Sequence, residues 1–101
     1  NINFSQRVLS TNEEVFKENE TLLYPNPMQK SAELRFYSEV ATTSTLEIYN
    51  FSGVLIRKII VDVEQGNNSV TIYREGLKSG LYLMKLSNKF RNYKVQKVVI
   101  N

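Results

Sequence analysis

The 101-residue chain carries a formal net charge of +3 and contains neither cysteine nor histidine. That composition excludes disulfide frameworks, thiolate and imidazole metal sites, and every nucleophile–base pair built on Cys or His. With 42% apolar residues and no run near the ~20 that a membrane-spanning helix needs, the chain reads as one modest globular unit.

Residues 1–21 read as a linker. Apart from Ile2 and Phe4, their apolar residues are sparse, and Thr11 to Glu20 is polar and charged. Thr11 or Asn12 could cap a short helix from Glu13, but Val15 and Phe16 give it little to bury. The opening residue is Asn1, not Met, so a longer parent chain with any export leader upstream is expected.

Leu22, Leu23 and Tyr24 then form an apolar run that stops at Pro25-Asn26-Pro27. Two prolines hold φ near −65° and bias their predecessors to extended backbone, which makes a rigid corner. From Ala32 the period is two: Ala32, Leu34 and Phe36, then Leu46 and Ile48, then Val70 and Ile72, each alternating with polar residues or tyrosine. These are half-buried strands, and Leu34, Phe36, Leu46, Ile48, Val70, Ile72 and Leu83 are the expected core. Val54 to Val63 is rich in β-branched residues, but Arg57-Lys58 breaks its alternation, which predicts a bulge or two short strands. Leu81 to Leu86 is apolar on both faces except at Lys85, the mark of a central strand, and Tyr93 to Ile100 reads as the last strand. Asn50 to Gly53, Gln65 to Asn68, and Ser79-Gly80 carry turn chemistry between them. About seven strands at this spacing predict an all-β, immunoglobulin-like antiparallel β-sandwich over residues 22–101.

Little in the chain suggests chemistry. The carboxylates Glu13, Glu14, Glu18 and Glu20 fall in the linker, and Asp62 with Glu64 supplies too few oxygens for a calcium site. No cofactor, metal or catalytic residue is expected. Tyr37, Tyr49 and Tyr73 fall on outward faces; they read as cross-strand neighbours, with a sugar-stacking strip as the rarer alternative. The four Asn-X-Ser/Thr triplets read as chance in an Asn- and Ser-rich chain. Charge is uneven: residues 76–101 hold Lys78, Lys85, Lys89, Arg91, Lys94 and Lys97 and no acid, while seven basic and all ten acidic residues precede them. The base-reading motifs of nucleic-acid binders are absent, so no nucleic acid is expected as partner.

Four segments taken together resemble a known family. They are Leu23-Tyr24-Pro25-Asn26-Pro27, Leu46 to Gly53, Leu77 to Leu86, and Lys94 to Ile100. In this order and spacing they resemble the type A C-terminal sorting domain of the type IX (Por) secretion system. The resemblance implies an immunoglobulin-like sandwich that carries a cargo through the outer-membrane translocon. It further implies removal by a sortase-like C-terminal signal peptidase and exchange for a cell-surface anchor. Partners would be the translocon and shuttle proteins of that system, with a weak homodimer left open; the route would run through the periplasm to the cell surface or beyond. The residues it marks are Tyr24, Pro25, Asn26, Pro27, Gly53, Gly80, Tyr82, Lys85, Lys94, Lys97, Val98, Val99 and Ile100. One departure stands out: where the family usually has Gly-Lys or Gly-Arg, this chain has Gly53-Val54. The alternative function is a carbohydrate-binding or adhesive module. As a sorting signal, the chain is expected to be read at its final strand, through exposed backbone that adds to a partner's sheet, with Lys85, Lys89 and Arg91 flanking it.

Overall fold

The computed structural model describes residues 19–101. The candidate cap at Thr11 or Asn12 and the carboxylates Glu13, Glu14 and Glu18 lie outside the described residues. Seven strands are present among those described: β1 (Thr21–Tyr24), β2 (Ser31–Ser38), β3 (Thr42–Asn50), β4 (Leu55–Val63), β5 (Gly66–Tyr73), β6 (Gly80–Ser87) and β7 (Gln96–Ile100). They form two antiparallel sheets, one ordered β1-β2-β5 and the other β4-β3-β6-β7. The fold is the all-β sandwich expected from the alternation, and β6 is interior to the larger sheet, as its two apolar faces require.

The core lies between the sheets. Leu34, Phe36 and Ile72 come from the smaller sheet, and Leu46, Ile48, Val61, Met84 and Val98 from the larger. Six of the expected core positions point there, Val70 being only partly buried against it. The seventh does not. Leu83 is half-exposed, and β6 turns Tyr82, Met84 and Leu86 inward instead. A strand apolar on both faces has no alternation to read, and its register is decided by pairing with β3 and β7.

Two boundaries differ from expectation, at β1 and at the last strand, while the bulge expected in β4 is present. β1 begins at Thr21, one residue inside the expected linker. β4 is a single strand with a bulge: Ile48 pairs with Arg57 and Tyr49 with Leu55, which leaves Ile56 unopposed. The last strand begins at Gln96, not Tyr93. Tyr93 is nevertheless buried, because its hydroxyl donates to the Tyr37 carbonyl at 2.7 Å across the sandwich and its ring meets Phe36 edge-on. Its amide donates to the Leu86 carbonyl at 3.0 Å beside an isolated bridge between Ser87 and Asn92, so contact with β6 is made there and resumes as a continuous ladder only at Gln96.

The connections separate to two poles. At the upstream pole lie the start of β1 and the β2–β3, β4–β5 and β6–β7 connections; at the downstream pole lie Pro25 to Lys30, the β3–β4 turn, the β5–β6 connection and Ile100.

A sealed strand edge and the face beside it

Most of the residues marked by the sequence lie at the downstream pole and along β7, Lys85 and Lys94 excepted. There the chain leaves β1, which is paired to the smaller sheet, and crosses to the larger one. Both peptide bonds into Pro25 and Pro27 are cis. Neither proline can donate a backbone hydrogen bond, so the side chain between them takes over. Asn26 Nδ2 donates to the Lys97 carbonyl at 2.8 Å, and the Val99 amide donates to Asn26 Oδ1 at 2.9 Å. The Asn26 amide thus stands where a neighbouring strand's peptide group would be. Met28 continues the job with its backbone: its amide donates to the Val99 carbonyl at 2.8 Å, and its carbonyl accepts from the Asn101 amide at 3.0 Å. At the other end of β7 the Lys94 amide donates to the Asn19 carbonyl, and Thr21 Oγ1 bonds the Gln96 side chain. The outer edge of β7 is therefore covered by residues that precede and follow β1. This overturns the expectation of an exposed terminal strand ready to add to a partner's sheet.

The other marked residues have roles in the fold. Gly53 (φ 92°) and Gly80 (φ 151°) adopt backbone that side-chain-bearing residues rarely take, although a Cβ at either would meet nothing within 4 Å. Conformation, not space, demands glycine there. The β3–β4 turn is further held by Asn50 Oδ1, which accepts from the Ser52 and Val54 amides. Tyr82, near the start of β6, donates from its buried ring to the Lys78 carbonyl four residues upstream at 2.8 Å. That is the tyrosine corner of Greek-key sandwiches. Val98 and Ile100 are core residues.

Arg74 was not singled out from the sequence. Its guanidinium bonds the Leu77 and Asn101 carbonyls and the Ser79 hydroxyl, and Arg57 reaches across from β4 to the Tyr73 and Arg74 carbonyls. An arginine just after a β-strand carries no local signal of such a role.

The basic residues of the last quarter do not form one patch. Lys94 pairs with Glu20 at 3.2 Å, Arg91 with Glu39 at 3.9 Å, and Lys89 lies over Phe90, all at the upstream pole. Lys85 and Lys97 project instead from the outer face of the larger sheet. On that face Lys85 and Lys58 flank Glu47, Lys97 flanks Leu83, and Leu81 lies beside Val99. Glu47 also accepts from the Tyr49 hydroxyl at 2.8 Å, which raises that phenol's pKa. The result is a half-apolar face bearing lysines next to the sealed edge.

The tyrosine strip does not form. Tyr37 and Tyr73 sit at opposite ends of the smaller sheet, opposite Asn67 and Ser31, and Tyr49 is on the larger sheet. Nor are they cross-strand partners of one another. A depression of about 400 Å³ lies at the downstream pole, lined by Pro25, Pro27, Gln29, Lys30, Ser31 and Asn101, with no Asp or Glu in its lining. Asp62 and Glu64 join no group of three metal-ligating residues among the described residues.

Residues 22–101 match the family model described as the secretion system C-terminal sorting domain. A comparison with curated proteins returns no match. Among solved structures, the chain is similar to dimeric latent PorU from Porphyromonas gingivalis, with a TM-score of 0.65 and 21% identity. The likeness covers 79% of this chain and 9% of that one, so the chain spans a small fraction of the larger protein, and at this identity it establishes a shared fold.

Proposed function

The chain belongs to the type IX secretion C-terminal sorting domains, and on that footing we propose that it is read as a folded unit, by side chains on the outer face of the larger sheet. The sorting domain is not itself catalytic; it directs an attached cargo across the outer membrane to the cell surface or the extracellular space. The observation that carries the proposal is the covering of β7 by Asn26 and Met28. With those backbone groups occupied, recognition through strand addition at β7 would first require breaking the seal. Lys85 and Lys97, with Leu81, Leu83 and Val99, present the alternative: apolar contact ringed by positive charge. Such a face suits an acidic receptor, with lysines that speed encounter and make binding salt-sensitive.

On this reading the cargo passes from the periplasm to shuttle and translocon proteins. A sortase-like peptidase then cuts in the segment leading to Thr21 and exchanges the domain for a surface anchor. That segment enters at the upstream pole, away from Pro25, Asn26, Pro27, Gly53, Gly80 and Ile100, so the cut leaves the sandwich whole.

The test is a reporter fused ahead of the chain in a host with this secretion system. Lys85→Ala combined with Lys97→Ala should leave the melting temperature within a few degrees of the parent, because both side chains are exposed. It should also trap the reporter in the periplasm. Lys94→Ala, at the other pole, should export normally. Normal export of the folded double variant would sink the proposal.

A further inference from the structure

The two edges of the larger sheet are treated differently. β7 is covered, but among the described residues no strand and no side chain pairs with the outer edge of β4. The ladder fixes which groups face outward there. Along β7, residues 97, 99 and 101 bond to Asn26 and Met28, so residues 96, 98 and 100 bond to β6. Carried through the β6–β3 and β3–β4 registers, this alternation turns the backbone N–H and C=O of Lys58, Ile60 and Asp62 away from the sheet. Their side chains stand on its outer face. All three are exposed, Ile60 by 61%, and neither Lys58 nor Asp62 makes an ion pair among the described residues.

We propose that β4 pairs antiparallel with β4 of a second copy, about a two-fold axis at Ile60. In this register Ile60 faces Ile60 of the second copy, and Lys58 faces Asp62 twice. Each of the three pairs is of the hydrogen-bonded kind, so the outward backbone groups of one copy meet those of the other. Among axes through a hydrogen-bonded pair, the charges favour this one. An axis at Lys58 would set lysine against lysine, and one at Asp62 would set aspartate against aspartate, both unfavourable directly across a ladder. The strand is thus complementary to itself, which an isologous contact requires. The bulge at Ile56 confines the pairing to the stretch beyond it and keeps the contact short. The inference goes beyond the sorting reading and stands independently of it.

Sedimentation of the whole 101-residue chain at low salt, over a range of concentrations, tests it. A concentration-dependent dimer is expected. Lys58→Asp alone and Asp62→Lys alone each create two like-charge pairs and should weaken association by roughly tenfold. The two changes together restore opposite charges and should restore the dimer. Because the chain has no native cysteine, an Ile60→Cys variant gives a second readout. A hydrogen-bonded pair sets Cα atoms about 5.5 Å apart, within disulfide reach, so mild oxidation should cross-link it. Thr43→Cys, exposed on the same face one strand in, should not cross-link. A chain that stays monomeric at every concentration overturns the proposal. So does a dimer that both single reversals leave intact, which would place the contact at β5 or residues 1–18, or an Ile60→Cys variant that cross-links no faster than the Thr43→Cys control.

Discussion

Asparagine does much of the joining in this molecule. Asn26 stands in for a missing strand, Asn50 closes the β3–β4 turn, Asn68 accepts from the Glu64 amide and donates to its carbonyl, and Asn88 accepts from the Phe90 and Arg91 amides. The side-chain amide offers a donor and an acceptor in one plane, as a peptide group does. That accounts structurally for the Asn50 triplet, whose asparagine is occupied within its own turn. Tyr93 makes a different sort of tie. Burial raises its phenol's pKa, outweighing the smaller lowering by the Ser38 hydroxyl and the Arg91 charge. Tyr93→Phe removes the bond to the Tyr37 carbonyl and should cost about 1 kcal/mol at neutral pH. Because the folded-state pKa is the raised one, the advantage of the native tyrosine is complete below the ordinary phenol value near ~10 and is lost as pH climbs toward the folded value. Denaturant titrations of both proteins across that range should therefore show the gap between them closing. A gap that widens would mean that the phenolate is favoured in the fold.

At the scale of elements, the decisive relation is between the β1–β2 connection and β7. The seal predicts distinct outcomes for two substitutions of one residue. Asn26→Ala leaves the Val99 amide and the Lys97 carbonyl without their partner, and amide exchange at Val99 should quicken by about an order of magnitude. Asn26→Asp keeps an acceptor for Val99 but sets a carboxylate oxygen against the Lys97 carbonyl. Protection at Val99 should persist while overall stability falls. Hydrogen exchange followed by nuclear magnetic resonance distinguishes them; equal exchange in both variants would mean that Asn26 is not the cap. The four sequence segments that mark the family acquire physical meaning here. They are the sealing corner, the β3 hairpin, the tyrosine corner and the strand being sealed. All four describe how the sandwich closes; Lys85 and Lys97, from the last two, are exposed on the face proposed for recognition.

Across the whole molecule, stability rests on residues contributed by both sheets. Leu34→Ala and Ile48→Ala should each cost about 2–5 kcal/mol, because each vacates a site buried on all sides. Leu83→Ala should cost distinctly less, since that side chain lies half-exposed on the outer face; thermal melts of the three variants would rank them. Equal losses would mean that the inward face of β6 has been misassigned. Alternation by itself marked β2, β3 and β5 and the core positions they supply, because a period of two assigns a face wherever one side is wet and the other dry. Composition, with no His or Cys, leaves this chain without thiol nucleophiles and without imidazole or thiolate metal ligands. Alternation could not place Leu83, because a strand apolar on both faces carries no such contrast. Nor could it foresee that the Tyr93 hydroxyl would reach a carbonyl on the other sheet, or that Pro25-Asn26-Pro27 would fold back over β7 from 71 residues away. Local sequence encodes which face of a strand is apolar; which edges are covered depends on where distant segments come to lie, and only the closed sandwich decides that.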